Sequence, residues 1–109
     1  MGLNSKKCIP CKGGIPPLNQ QEAEKLLQQV PGWSLKSDPS RIEREFQFED
    51  FESALKFVNK VGELAEAEGH HPDIKFGWGY CVILFYTHKI QGLHENDFIM
   101  AAKVNQLRN

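Results

Sequence analysis

The stretch that decides the fold is EAEGHHPDIKFGWGYCVILFYTH, residues 66–88. It opens as the end of a helix, and Gly69 is a natural terminator because glycine accepts the left-handed conformation that closes many helices. Pro72 keeps His71 extended, so the chain cannot resume the helix there. DIKFG and YCVILFYTH then read as two strands joined near Trp78-Gly79. In the second strand Tyr80, Val82, Leu84, Tyr86 and His88 point one way, and Cys81, Ile83, Phe85 and Thr87 the other. Both sets are largely apolar, which places this strand at the centre of its sheet or under a partner subunit.

Upstream, DFESALKFVNKVGELAEAEG (residues 50–69) carries helical spacing. Phe51, Leu55, Val58, Val61 (or Gly62) and Ala65 form the expected apolar stripe, and Lys56, Asn59, Lys60 and Glu63 take the other side. Asp50 is placed to cap its start. Before it, GWSLKSDPSRIEREFQF reads as a hairpin. Trp33 and Leu35 share one strand, Ile42, Phe46 and Phe48 share a face of the next, and Ser37-Asp38-Pro39-Ser40 supplies the turn. Asn19 followed by Glu22 predicts a capping box for a first helix that stops before Pro31-Gly32. A closing helix is expected from about Asn96 through Leu107. The order helix, strand, strand, helix, strand, strand, helix predicts an α+β two-layer sandwich, a four-stranded antiparallel sheet with helices packed on one face. Exposed edges of so small a sheet are often paired across a homodimer or homotetramer.

Thirteen Lys+Arg against fourteen Asp+Glu leave a net charge of −1, and no basic stripe appears, so direct nucleic-acid contact is not expected. No apolar run approaches the roughly 20 residues that span a bilayer, and no charged-then-apolar leader is seen. A cytoplasmic, reducing setting is the expectation. Residues 1–18, with KKCIPCKGGIPPL, read as an extended or disordered lead segment, and residues 19–109 as one domain. Cys8-Ile9-Pro10-Cys11 follows no predicted strand and lacks a second ligand pair, so neither a thioredoxin-like motif nor a structural zinc is expected. Cys81 reads as a small buried hydrophobe.

All four histidines lie in the C-terminal half. His70 and His71 emerge where the last helical carbonyls carry partial negative charge, which favours a protonated imidazole. Glu66, four residues before His70, adds a second favourable charge. Neighbouring extended side chains diverge, which argues against both histidines holding one metal ion and for separate duties around a ligand. His88 closes the strand YCVILFYTH, and strand ends are where reactive groups commonly project. His94 stands at the start of the last helix, with no chemistry assigned, and Asp97 follows in its first turn. Trp78 and Tyr80 are flat enough to stack on a flat ligand, but an apolar filler role is the stronger expectation for either.

The combination Glu66-x-x-x-His70-His71-Pro72, then Thr87-His88, then Gly92-Leu93-x-x-x-Asp97 resembles the pterin-4a-carbinolamine dehydratase family. The resemblance runs over roughly residues 18 to 107 and includes Phe51, Ala54 and Phe57 ahead of the histidine pair. It departs at His94, where the family carries a hydroxyl cap. It implies dehydration of a 4a-hydroxytetrahydropterin to the quinonoid dihydropterin without a metal or redox cofactor. His70, His71 and His88 match the family's three active-site histidines, with acid and base work assigned to His70 and His88 and substrate positioning to His71. Glu66 and Asp97 would orient the imidazoles. Animal members also serve as dimerisation cofactors for a homeodomain transcription factor, so a protein partner is the alternative role that the resemblance implies. Ile99, Met100 and Val104, taken as exposed on the last helix, are the candidate residues for self-association.

Overall fold

In the computed structural model, residues 2–9, 13, 15–37 and 40–108 are described. The elements are α1 (Gln20–Leu27), β1 (Ser34–Lys36), β2 (Arg41–Gln47), α2 (Phe51–Glu68), β3 (Asp73–Gly77), β4 (Tyr80–Phe85) and α3 (Glu95–Arg108), with short 3-10 turns at Leu3–Ser5 and His88–Ile90. The four strands form an antiparallel sheet in the order β1-β2-β4-β3, so β4 is interior as its two apolar faces require. Residues 38 and 39 of the expected hairpin turn lie outside the described residues, as does Cys11, but β1 and β2 pair antiparallel on either side.

Register places the apolar side chains in rows across the sheet. Ile42 pairs with Phe85, Phe46 with Cys81, Ile74 with Ile83 and Phe76 with Cys81. Ile42, Phe46, Cys81, Ile83 and Phe85 are all 2% exposed or less, and the helices cover this face. The local signals act as written. Asn19 and Glu22 form the reciprocal capping box, Asp50 accepts from the Ser53 N–H at 2.8 Å, and Gly69 ends α2 at φ 69°.

Two expectations are corrected. The buried stripe of α2 keeps the expected Val61 and Ala65 but begins with Ala54 and Phe57, whereas Phe51 and Leu55 are exposed. Both sets obey a 3.6-residue period. The choice falls on the set whose ring can join Phe46 and Phe48, whose centroids lie 4.7 and 5.3 Å from Phe57. Ile99, Met100 and Val104 are not exposed but belong to the core. The reason is that α3 contacts β4, α1, α2 and the lead segment, leaving it little free surface.

The described part of the lead segment is attached to the domain. Leu3 is buried in the core cluster, and Lys6 pairs with Glu95 at 2.9 Å. Lys103 Nζ donates to the Asn4 carbonyl at 3.0 Å. Further along, Leu18 N–H donates to the Leu93 carbonyl at 2.9 Å.

Burial pushes the Cys81 thiol up to about 11, and burial together with the Glu68 carboxylate pushes Cys8 up to about 12, from an ordinary 9.0. Above that ordinary value the unfolded chain gives up protons that the folded protein keeps, so both thiols make stability fall as pH rises through the window between 9.0 and about 11. The thermal midpoint of the wild type is expected to fall more steeply with alkaline pH than that of Cys81→Ala, followed by circular dichroism. Parallel slopes would show that the thiol is not linked to folding.

Candidate active site

The site is built where three chain segments meet beyond the end of β4. Gly69 N–H and His70 N–H both reach the Ala65 carbonyl, at 2.9 and 3.3 Å, closing α2 and turning His70 away from the helix axis. Thr87 and Gly92 then form an isolated bridge, so residues 88–91 close as a small loop with Gln91 at φ 51°. Tyr86 lies beyond the end of β4 and His88 starts this loop, so the strand is shorter than the sequence pattern suggests.

Asp97 ties these segments together. It is fully buried and accepts three hydrogen bonds. His70 Nε2 faces Oδ1 at 2.6 Å, while Thr87 Oγ1 and the His94 N–H donate to Oδ2, each at 2.9 Å. His94 caps α3 in place of a hydroxyl residue, its Nδ1 accepting the Asn96 N–H at 3.0 Å. With Asp97 reaching back to the His94 N–H, the helix start carries a variant of the capping box in which the imidazole takes the second rather than the third helical N–H.

The histidine–carboxylate pairing differs from the sequence expectation. Glu66 partners His71, not His70, through Oε2 and Nε2. A carboxylate and an imidazole four apart face each other only while the helix continues. The left-handed Gly69 breaks that geometry and brings the fifth residue within reach. The two pairs also differ in environment. His70 is 11% exposed and its ring stacks on Phe85 at 6.1 Å between centroids, whereas His71 and Glu66 are 59% and 79% exposed. Solvent weakens the second pair, so it orients more than it stabilises.

His88 packs its ring against Tyr86 at 4.1 Å between centroids, and its imidazole has no hydrogen-bond partner among the described residues. His70, His71 and His88 line one cleft of about 390 Å3 with Ile9, Gly69, Tyr86, Thr87 and Lys89. That volume suits a small ligand. Each Nε2 is committed to a carboxylate, that of His70 to Asp97 and that of His71 to Glu66. Trp78 and Tyr80 do not line the cleft. They sit at the β3–β4 turn, at the opposite end of β4, with Trp78 72% exposed.

The sequence reading left out Ile9, Tyr86 and Lys89 as lining residues, and did not assign Thr87 to Asp97. Thr87 was legible as part of the Thr-His pair. Ile9 carried no signal, because its placement depends on a side chain 87 positions away. Among the described residues, no three His, Cys, Asp or Glu side chains group as a metal ion would need, and no helix is long and apolar enough to cross a membrane.

Comparison with known proteins agrees in one direction. The profile of the family described as Pterin 4 alpha carbinolamine dehydratase matches residues 16–107. A Methylococcus capsulatus protein named "Putative pterin-4-alpha-carbinolamine dehydratase" is 65% identical over 96% of this chain and 92% of its own length. A crystal structure from Brucella melitensis, described as a transcriptional coactivator/pterin dehydratase, superposes with a TM-score of 0.80 at 29% identity, covering 85% of this chain and 99% of the other. A pterin dehydratase-like protein described as a RuBisCO assembly factor in the alpha-carboxysome aligns with a TM-score of 0.61 at 26% identity, over 70% of this chain and 88% of that one.

Replacing Asp97 by Ala strands a buried imidazole and two further donors, which is expected to cost about 2–3 kcal/mol of folding stability at neutral pH in urea titration. Glu66→Ala is expected to leave the midpoint unchanged within error. Equal effects would refute the ranking of the two pairs.

Proposed function

This chain belongs to the pterin 4 alpha carbinolamine dehydratase family, and from that premise we propose that it removes water from a 4a-hydroxytetrahydropterin to give the quinonoid dihydropterin, in the recycling of a tetrahydrobiopterin-type cofactor. The observation that carries this reading is the convergence of His70, His71 and His88 on a single cleft.

The reaction breaks the C4a–O bond and turns the C4a–N5 single bond into a double bond. The N5 lone pair pushes out the hydroxyl, which leaves as water once it has been protonated. The proton on N5 is then taken by a base. The net change is loss of one water, with no electron gained or lost. A cluster of imidazoles is suited to this, because each can give or take a proton near neutral pH.

We assign acid and base work to His70 and His88, and substrate positioning to His71. Asp97 acts through His70. It holds Nε2 at 2.6 Å, so the proton traded with substrate is carried on Nδ1. Glu66 restrains His71 in the same way, from a more open position. His88, without such a partner among the described residues, can turn on its side chain as the proton moves. General acid–base help of this kind is worth about 10² to 10⁴ in rate.

A second reading, a module that binds another protein, is favoured by the exposed Phe51 and Leu55 on α2. These offer apolar surface to a second copy of the chain or to a different protein, in the place that the buried residues of α3 cannot fill. Under this reading the histidine variants keep their full biological effect.

His70→Ala and His88→Ala are each expected to slow dehydration of synthetic carbinolamine by more than about tenfold, with far-UV circular dichroism unchanged. Wild-type rates in both variants would end the acid–base assignment.

A further inference from the structure

The lead segment is held in a way that singles out one side chain. Asn96 Oδ1 accepts from the Ile9 N–H at 3.1 Å, and Asn96 Nδ2 donates to the Ile9 carbonyl at 2.7 Å. The amide thus pairs with Ile9 as a neighbouring strand would. Asn96 is 1% exposed, so both bonds are shielded from water, where a hydrogen bond is stronger and its loss costs more. One residue earlier, the Cys8 N–H donates to Glu68 Oε1 at 3.0 Å. The backbone of residues 8 and 9 is therefore fixed from both α2 and α3.

What this fixing presents is an apolar side chain facing water. Ile9 is 61% exposed, and it lines the histidine cleft. The imidazoles, Thr87 and Lys89 supply that cleft with polar groups, and Ile9 is its one aliphatic side chain among the described lining residues. Its anchor is also the neighbour of the site's central carboxylate. Asn96 holds Ile9 and Asp97 holds His70, on consecutive positions of the first turn of α3. A strap that served only to cover α3 would be satisfied by Leu3 and the Lys6–Glu95 pair. It would have no need of a buried amide aimed at the backbone of an exposed isoleucine.

We propose that Ile9 is a substrate-contact residue, an aliphatic wall against which the flat ring system packs, and that Asn96 is the positioning residue that keeps it there. This rests on the pterin reading above. A bicyclic heterocycle has extended ring faces as well as polar edges. The imidazoles serve the reacting edge, and Ile9 serves a face by removing apolar surface from water. The contact is made equally in ground and transition states, so it governs affinity more than the chemical step.

The test uses the full chain and the variants Ile9→Asp, Ile9→Leu and Asn96→Ala. It reads kcat and KM with synthetic carbinolamine, and calorimetric Kd for a non-reacting 7,8-dihydropterin. Ile9→Asp, at an exposed position that leaves folding intact, is expected to raise KM and Kd about tenfold, with kcat within about twofold. Ile9→Leu, which keeps the aliphatic contact, should retain the wild-type values. Asn96→Ala should raise KM in the same direction, and combining it with Ile9→Asp should add less than the product of the two single effects. An active wild type whose Ile9→Asp variant keeps its KM and Kd, or loses kcat instead, overturns this inference and leaves the functional reading standing. A wild type that neither dehydrates carbinolamine nor binds the dihydropterin overturns both.

Discussion

One buried carboxylate sets the geometry of the site. Asp97 has no exposed surface and takes donors from the exit of α2, the end of the central strand's segment and the start of α3. A carboxylate removed from water is tolerated only when its oxygens are satisfied. Each donor is therefore a constraint on where its own segment can lie. The folding requirement and the site requirement coincide, because the group that needs three partners is also the one that orients His70. No buried side-chain nitrogen or oxygen is left without a partner among the described residues.

The sheet and helices serve to bring those segments to one end of the molecule. β4 is interior, its Cys81, Ile83 and Phe85 face is covered by helices, and it delivers Thr87 and His88 just beyond its last residue. α2 ends at Gly69 on the same side, and Pro72 directs the chain into β3. His70 and His71 consequently take different carboxylates and different degrees of exposure. One imidazole is rigid and stacked on Phe85, another is open to water, and the third rests on Tyr86. Three side chains of the same type are thus given three environments.

Much of this was legible in the residues. The capping pair at Asn19 and Glu22, the terminator Gly69 and the alternation along residues 80–85 act locally, through bonds between near neighbours. Such signals need no knowledge of the rest of the chain. In the stripe of α2 the expected Val61 and Ala65 are buried, but its first half is out of phase, because Phe51, Leu55 and Val58 fit the helical period as well as Ala54 and Phe57 do. Periodicity finds that a helix has a buried face, but the rings on the sheet decide which face it is. The burial of Ile99, Met100 and Val104 escaped notice for a related reason, since it depends on four other segments enclosing α3.

By itself, the order of residues determined the elements, their boundaries to within a few positions, the sandwich of sheet and helices, and which histidines stand near a chain reversal. Those follow from backbone preferences and from spacing, which are properties of short stretches. Only the tertiary structure decided that Asp97 belongs to His70 and that Ile9 borders the cleft. The physical reason is distance along the chain. A pairing across 27 or 87 residues is selected by the packing of whole elements, and no local preference encodes it.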